Sequence, residues 1–184
     1  MTNKFTYNAR QVVSGAILSA KELGHTYVGS EHLLLGITGL PDCTAAKLLK
    51  SAGVESGSVR EQIISLAGRG TKTGGGEDMT PKCRKILMKA SRISHDAGED
   101  VIGSEHILQA LLTEECVAKR IIEMEGASPD GLSSILEGIY LPGREDEMRI
   151  RTKTKRCETP TIDANARDLT EAARNGDIPV MTGR

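Results

Sequence analysis

The sequence predicts an all-α fold made of two pseudo-symmetric four-helix repeats, repeat one over residues 4–68 and repeat two over residues 79–141. Three observations carry this reading. Gly29-Ser30-Glu31-His32-Leu33-Leu34 returns as Gly103-Ser104-Glu105-His106-Ile107-Leu108, an offset of 74. The same offset pairs Thr6 with Thr80, Arg10 with Arg84, Ala16 with Ala90 and Gly24 with Gly98. Between these marks the apolar residues recur at spacings near 3.6, and no stretch reads as a convincing strand.

Each element follows from local chemistry. Thr6 caps a first helix whose inner face is Val12, Val13, Ala16, Ile17, Ala20 and Leu23, and Gly24 ends it. His25 to Gly29 is a connector. The second helix runs from Ser30, read as its N-cap, to about Thr38, with Glu31 in the first turn where the helix dipole favours a carboxylate. A capping box would need Glu or Gln three residues after the Ser, where Leu33 and Ile107 stand, so the glutamates are free for another role. A third helix spans Thr44 to Ser51, stopped by Gly53, and a fourth starts near Ser56 with Val59, Ile63, Leu66 and Ala67 on one side. Gly68 to Asp78 holds five glycines and no apolar residue and reads as a flexible inter-repeat loop.

Repeat two opens on Thr80-Pro81, a cap followed by proline at the first helical position. Ile86, Leu87, Ala90, Ile93 and Ala97 form the face of its first helix, and Gly98 closes it. Ser104 opens the next helix, to about Thr113. Val117, Ile121 and Ile122 mark the third, and Leu132, Ile135, Leu136 and Ile139 the fourth. Beyond Pro142 the chain is charge-dense and aperiodic to Thr159, a mobile linker, with one short helix expected between Ile162 and Asn175.

Composition narrows the function. A chain of 184 residues that is 38% hydrophobic, with one Phe, three Tyr and no Trp, must build an aliphatic core. A net charge of −1 argues against a dedicated nucleic-acid binder. No apolar run is long enough for a membrane span, and the N-terminus lacks a signal peptide's apolar stretch, so a cytoplasmic location is expected. Cys43, Cys83, Cys116 and Cys157 lack metal-ligand spacing and read as reduced thiols. His32 and His106 read as packed, hydrogen-bonded histidines at the repeat interface, not ligands, so no metal is expected. Gly70-Thr71-Lys72-Thr73 fails the phosphate-loop pattern, because Thr71 and Leu66 stand where glycines are needed. No nucleophile motif occurs, so no enzyme activity and no cofactor are expected.

The duplicated Gly-x-x-x-[Val/Ile]-Gly-Ser-Glu-His-[Leu/Ile]-Leu resembles the Clp repeat domain at the amino terminus of ClpC-type Clp ATPases. Phe5-Thr6-x-x-Ala9-Arg10 and Thr80-Pro81-x-x-x-Arg84 fit the same pattern. The resemblance assigns residues 1–141 to that domain. It also likens residues 142–184, from Thr159-Pro160 to Thr182-Gly183-Arg184, to the linker and opening of the first ATPase module, with the module itself absent. The chain is then either a piece cut after the linker or a product lacking its motor.

The resemblance implies a domain that does no chemistry. It would dock adaptor proteins and protein substrates for a hexameric Clp ATPase and its peptidase, without nucleic acid or membrane. The alternative is a free-standing helical protein-interaction module. The resemblance further implies recognition of phosphoarginine. Thr6 and Thr80, opening the first helix of each repeat, suit the phosphate, and Glu31 and Glu105 suit the guanidinium. If these helix starts converge, each repeat holds one site. The alternative role for Glu31 and Glu105 is that of ordinary first-turn acids. Glu99 replaces the family's usual His, Met79 an aromatic residue and Cys83 a small Ala. With Glu99 and Asp100 repelling phosphate, the site in repeat two is expected to be the weaker.

Overall fold

The computed structural model describes residues 4–70 and 78–140. Eight helices are described: α1 (Tyr7–Glu22), α2 (Ser30–Thr38), α3 (Thr44–Ser51), α4 (Ser56–Ala67), α5 (Pro81–Asp96), α6 (Ser104–Thr113), α7 (Val117–Met124) and α8 (Pro129–Tyr140). They fall into two sets of four in the same order. The tail beyond Pro142, including the expected short helix, lies outside the described residues, as do Thr71 to Glu77 of the expected loop.

The caps explain the helix limits. Thr6 Oγ1 accepts the N–H of Ala9 at 3.2 Å, and Thr80 Oγ1 accepts that of Cys83 at 3.1 Å, so both threonines cap as expected. Gly24 and Gly98 follow α1 and α5 with φ of +73° and +77°, the left-handed conformation that a residue with a side chain rarely adopts.

The second helices begin differently from the expectation. Gly29 and Gly103 are their N-caps, and Ser30 and Ser104 are the first helical residues. Ser30 serves a helix of the other repeat: its Oγ accepts the N–H of Ala118, near the start of α7, at 3.4 Å.

The core is aliphatic and centred on α2 and α6. In α2 every residue from His32 to Ile37 is buried, and in α6 every residue from His106 to Leu112. Helices apolar on nearly all sides belong inside a bundle. Leu34 and Leu108 are fully buried, as are Ile121, Ile122 and Leu136. Four residues expected on apolar helix faces are exposed: Leu66 (46%), Ala67, Val117 (39%) and Ile135 (52%). Each lies on the margin of its helix's apolar stripe, where spacing alone does not decide.

Four two-residue strands were not expected. They are β1 (Lys4–Phe5), β2 (Tyr27–Val28), β3 (Asp78–Met79) and β4 (Val101–Ile102). They pair in parallel and across the repeats. Lys4 and Phe5 align with Val101 and Ile102, and Tyr27 and Val28 with Asp78 and Met79. The pairing continues into the caps, where Thr6 N–H donates to the Ile102 carbonyl at 2.9 Å and Thr80 N–H to the Val28 carbonyl at 2.9 Å. Lead-in backbone that would otherwise lack partners is thereby satisfied, and the two repeats interlock.

Candidate functional site

The strand pairing decides which helix starts meet. Thr80 is bonded to Val28, one residue before Gly29-Ser30-Glu31, so the start of α5 stands beside the start of α2. Thr6 is bonded to Ile102, one residue before Gly103-Ser104-Glu105, so the start of α1 stands beside that of α6. The groups therefore converge between repeats, Thr80 with Glu31 and Thr6 with Glu105. The within-repeat pairing of the sequence reading, Thr6 with Glu31 and Thr80 with Glu105, does not occur. Parallel strands from different copies exchange the partners.

The electrostatics agree with this geometry. The Cys83 thiol on α5 is pushed up to about 12, first by burial and then by the Glu31 carboxylate, with Arg84 opposing. A group in the first turn of α5 thus feels the acid at the start of α2. Burial also makes Cys83 a poor nucleophile.

Both glutamates are held in place. Ser30 Oγ donates to Glu31 Oε2 at 3.3 Å, and Ser104 Oγ donates to Glu105 Oε2 at 2.9 Å. Each carboxylate folds over its own N-cap glycine, so closely that a Cβ on Gly29 or Gly103 would overlap it. The side chains remain 17% and 22% exposed, enough for a partner to reach one edge.

The phosphate halves differ. At α1 the cap uses the N–H of Ala9, and Arg10 N–H returns to the Thr6 carbonyl at 3.0 Å, which leaves the Tyr7 and Asn8 N–H groups at the helix start. At α5 Pro81 has no N–H, so Lys82 supplies the remaining one.

The histidines hold the glutamate-bearing helix starts. His32 Nδ1 accepts the Gly29 N–H at 2.9 Å, and His106 Nδ1 accepts the Gly103 N–H at 2.9 Å. The third helical residue thus reaches back to the cap, a role that the search for Glu or Gln overlooked. Because its Nδ1 accepts, neutral His32 carries its proton on Nε2 and donates to His25 Nδ1 at 2.8 Å. His25 Nε2–H in turn donates to the Gly68 carbonyl at 3.0 Å, which ties α1's exit to α4's end. Burial and His25 lower the His32 pKa, with burial the larger cause, against an upward pull from Glu31. The sequence reading marked His25 only as the family's usual His after the closing glycine, with Glu99 as its counterpart, and not as a partner of His32.

Glu99, Glu105 and His106 place ligand-type atoms within 4.8 Å of one another. This set does not suit a metal. His106 Nδ1 is occupied by Gly103 N–H, so Nε2 bears the ring proton of the neutral form, 3.8 Å from Glu99 Oε2.

A family model for the Clp repeat (R) N-terminal domain matches residues 4–125 and 78–149. The chain belongs to this Clp repeat family. It is 32% identical over 187 residues to the chloroplastic chaperone protein ClpC of Pisum sativum, covering 100% of this chain and 20% of that one. It is 32% identical over 186 residues to the negative regulator of genetic competence ClpC/MecB of Bacillus subtilis, covering 100% of this chain and 23% of that one. The chain therefore spans about a fifth of these relatives. The ClpD N-terminal domain of Arabidopsis thaliana shares the Clp repeat fold at TM-score 0.64 and 22% identity, covering 75% of this chain and 98% of that one. The N-domain of ClpV from Vibrio cholerae shares it at TM-score 0.60 and 23% identity, over 74% of this chain and 85% of that one. The Clp repeat chain is an N-terminal domain and not an ATPase module. Among the described residues no helix is long and apolar enough to cross a membrane.

Proposed function

We propose that this chain is a docking domain that receives protein substrates and adaptor proteins for a Clp-type ATPase, and that it reads phosphoarginine at Thr80 with Glu31 and at Thr6 with Glu105. One observation carries the reading: a threonine-capped helix start is strapped twice to a glutamate-bearing helix start of the other repeat. A phosphorylated guanidinium needs an anion site beside a carboxylate, and helix N–H groups next to a rigid Glu supply both. Residues 1–141 form the docking unit, and residues 142–184 lead to the motor of a longer parent.

Calorimetry with phosphoarginine tests the site. Glu31→Ala removes a charge-assisted contact worth about 1.5–3 kcal/mol, so affinity there should fall roughly ten- to hundredfold. Glu105→Ala should matter less, because Glu99 lies on that side. Thr80→Ala should couple to Glu31→Ala in a double-mutant cycle, and Thr6→Ala should not, with all variants kept well below their melting temperatures. Unaltered binding by the double glutamate variant would make both residues first-turn acids held by their own serines. No binding by wild type would leave adaptor docking without the tag.

A further inference from the structure

At the Glu31 helix start, unlike at its copy, the histidine is wired to a second histidine. Gly29 N–H enters His32 Nδ1 at 2.9 Å, His32 Nε2–H enters His25 Nδ1 at 2.8 Å, and His25 Nε2–H enters the Gly68 carbonyl at 3.0 Å. Each bond fixes the next, so the chain of donors runs one way only. Both rings are neutral in this arrangement, and each has one tautomer. His25 and His32 meet edge to face, with ring centroids 4.9 Å apart.

An added proton has one good place to go. On His25 Nδ1 it would face the His32 Nε2–H, donor against donor. On His32 Nδ1 it would displace the Gly29 N–H but find the Glu31 carboxylate, whose Oε1 is 3.5 Å away. The charged or titratable groups acting on His32 are Glu31 and His25, while Cys83 and Arg84 of α5 are linked to this start through Glu31, and the thiol stays protonated. From the end of α4 the facing group is the neutral Gly68 carbonyl.

We propose that His32, held in register by His25 and Gly68, is an acid-operated latch on Glu31. While the imidazole is neutral its Nδ1 caps Gly29, and Glu31 keeps its exposed edge for a cationic partner. Once protonated, Nδ1–H turns from Gly29 to Glu31 and takes the carboxylate as its own ion-pair partner. The proton comes from solvent, no bond other than hydrogen bonds changes, and deprotonation restores the cap. The Glu105 helix start is wired differently, because His106 Nε2 faces Glu99 in place of a second imidazole. The latch bears on the site proposed above, yet it is a property of the ligand-free protein and is tested there.

The test is ¹⁵N NMR of the histidine rings and of the Gly29 amide in the full chain, without ligand, from about pH 8 down to about pH 4.5. At high pH His32 should show an unprotonated Nδ1 and a protonated Nε2. The Gly29 amide should lose its hydrogen-bonded shift with the same midpoint as His32. Its exchange protection, corrected for intrinsic rate, should fall roughly tenfold across that midpoint. Glu31→Gln should lower the His32 midpoint by roughly 0.5 pH or more, because the negative charge that stabilises the imidazolium is gone. His25→Glu, which copies repeat two, should raise it. An Nδ1–H tautomer at neutral pH, a Gly29 amide that ignores the His32 titration, or a midpoint unmoved by Glu31→Gln would each overturn the latch. None of these results depends on whether phosphoarginine binds.

Discussion

Gly36→Ala should destabilise the protein, although alanine is the better helix former. A Cβ at Gly36 would overlap the Val12 carbonyl oxygen and stand 3.0 Å from the Ala16 nitrogen. Both are backbone atoms of α1, so no rotamer change relieves the overlap. The helices would have to part by about 1 Å to restore normal contact, loosening dispersion contacts along the whole seam. That seam is tight, since Ala9, Val12, Ala16, Leu33 and Leu34 are fully buried. Overpacking of this kind costs about 1–3 kcal/mol, and a clash with backbone belongs at the upper end. The propensity gain of Ala over Gly offsets up to about 1 kcal/mol, so a net loss of about 2 kcal/mol is expected. Gly15→Ala is the control. Its Cβ would lie 3.5 Å from Gly36 Cα, ordinary contact, so the propensity gain should remain and the variant should equal or exceed wild type. Urea titration followed by circular dichroism reads both as midpoint shifts at constant slope. The reasoning fails if Gly36→Ala is as stable as wild type, or if Gly15→Ala falls with it.

Other outcomes follow from the same structure. Leu34→Ala and Leu108→Ala, both fully buried, should each cost about 2–5 kcal/mol in denaturant titration, and a loss below about 1 would contradict their placement. Hydrogen bonds from Lys85 and Lys89 hold Glu114 at about 2, below its ordinary 4.5. Its contribution should be complete above the unfolded value, about pH 4.5, and fade as pH falls toward 2. Glu114→Gln should therefore flatten that acid limb of the melting curve, as should added salt, because Lys85 is largely exposed. Truncation after Pro142 should leave the melting temperature nearly unchanged. A drop of several degrees would show that the tail packs on the helices.

Helix identity was legible because it is local. Thr6, Thr80, Gly24 and Gly98 signal their ends through chemistry that needs no distant partner, and the 74-residue repeat located both sets of helices. The Ser30 cap was misplaced by one residue because serine is the commoner cap. Here a glycine cap completed by His32 Nδ1 replaces the usual hydroxyl. Two-residue strands such as Tyr27–Val28 are too short to show an alternating pattern, so the periodicity that finds helices is blind to them.

The amino-acid sequence by itself determined the eight described helices, the Thr6 and Thr80 caps and the aliphatic core, because each depends on neighbours a few positions away, while Thr6, Glu31, Thr80 and Glu105 were brought together as one group by the family resemblance. Tertiary structure decided which of those four stand together. A duplicated sequence is symmetric under exchange of its copies, so it cannot say whether Glu31 faces the threonine of its own repeat or of the other. Backbone hydrogen bonds between distant segments, Thr80 to Val28 and Thr6 to Ile102, break that symmetry and cross the pairs. The same holds for His25. Only packing against α4 brings Gly68 to its ring and turns an ordinary connector residue into the partner of His32.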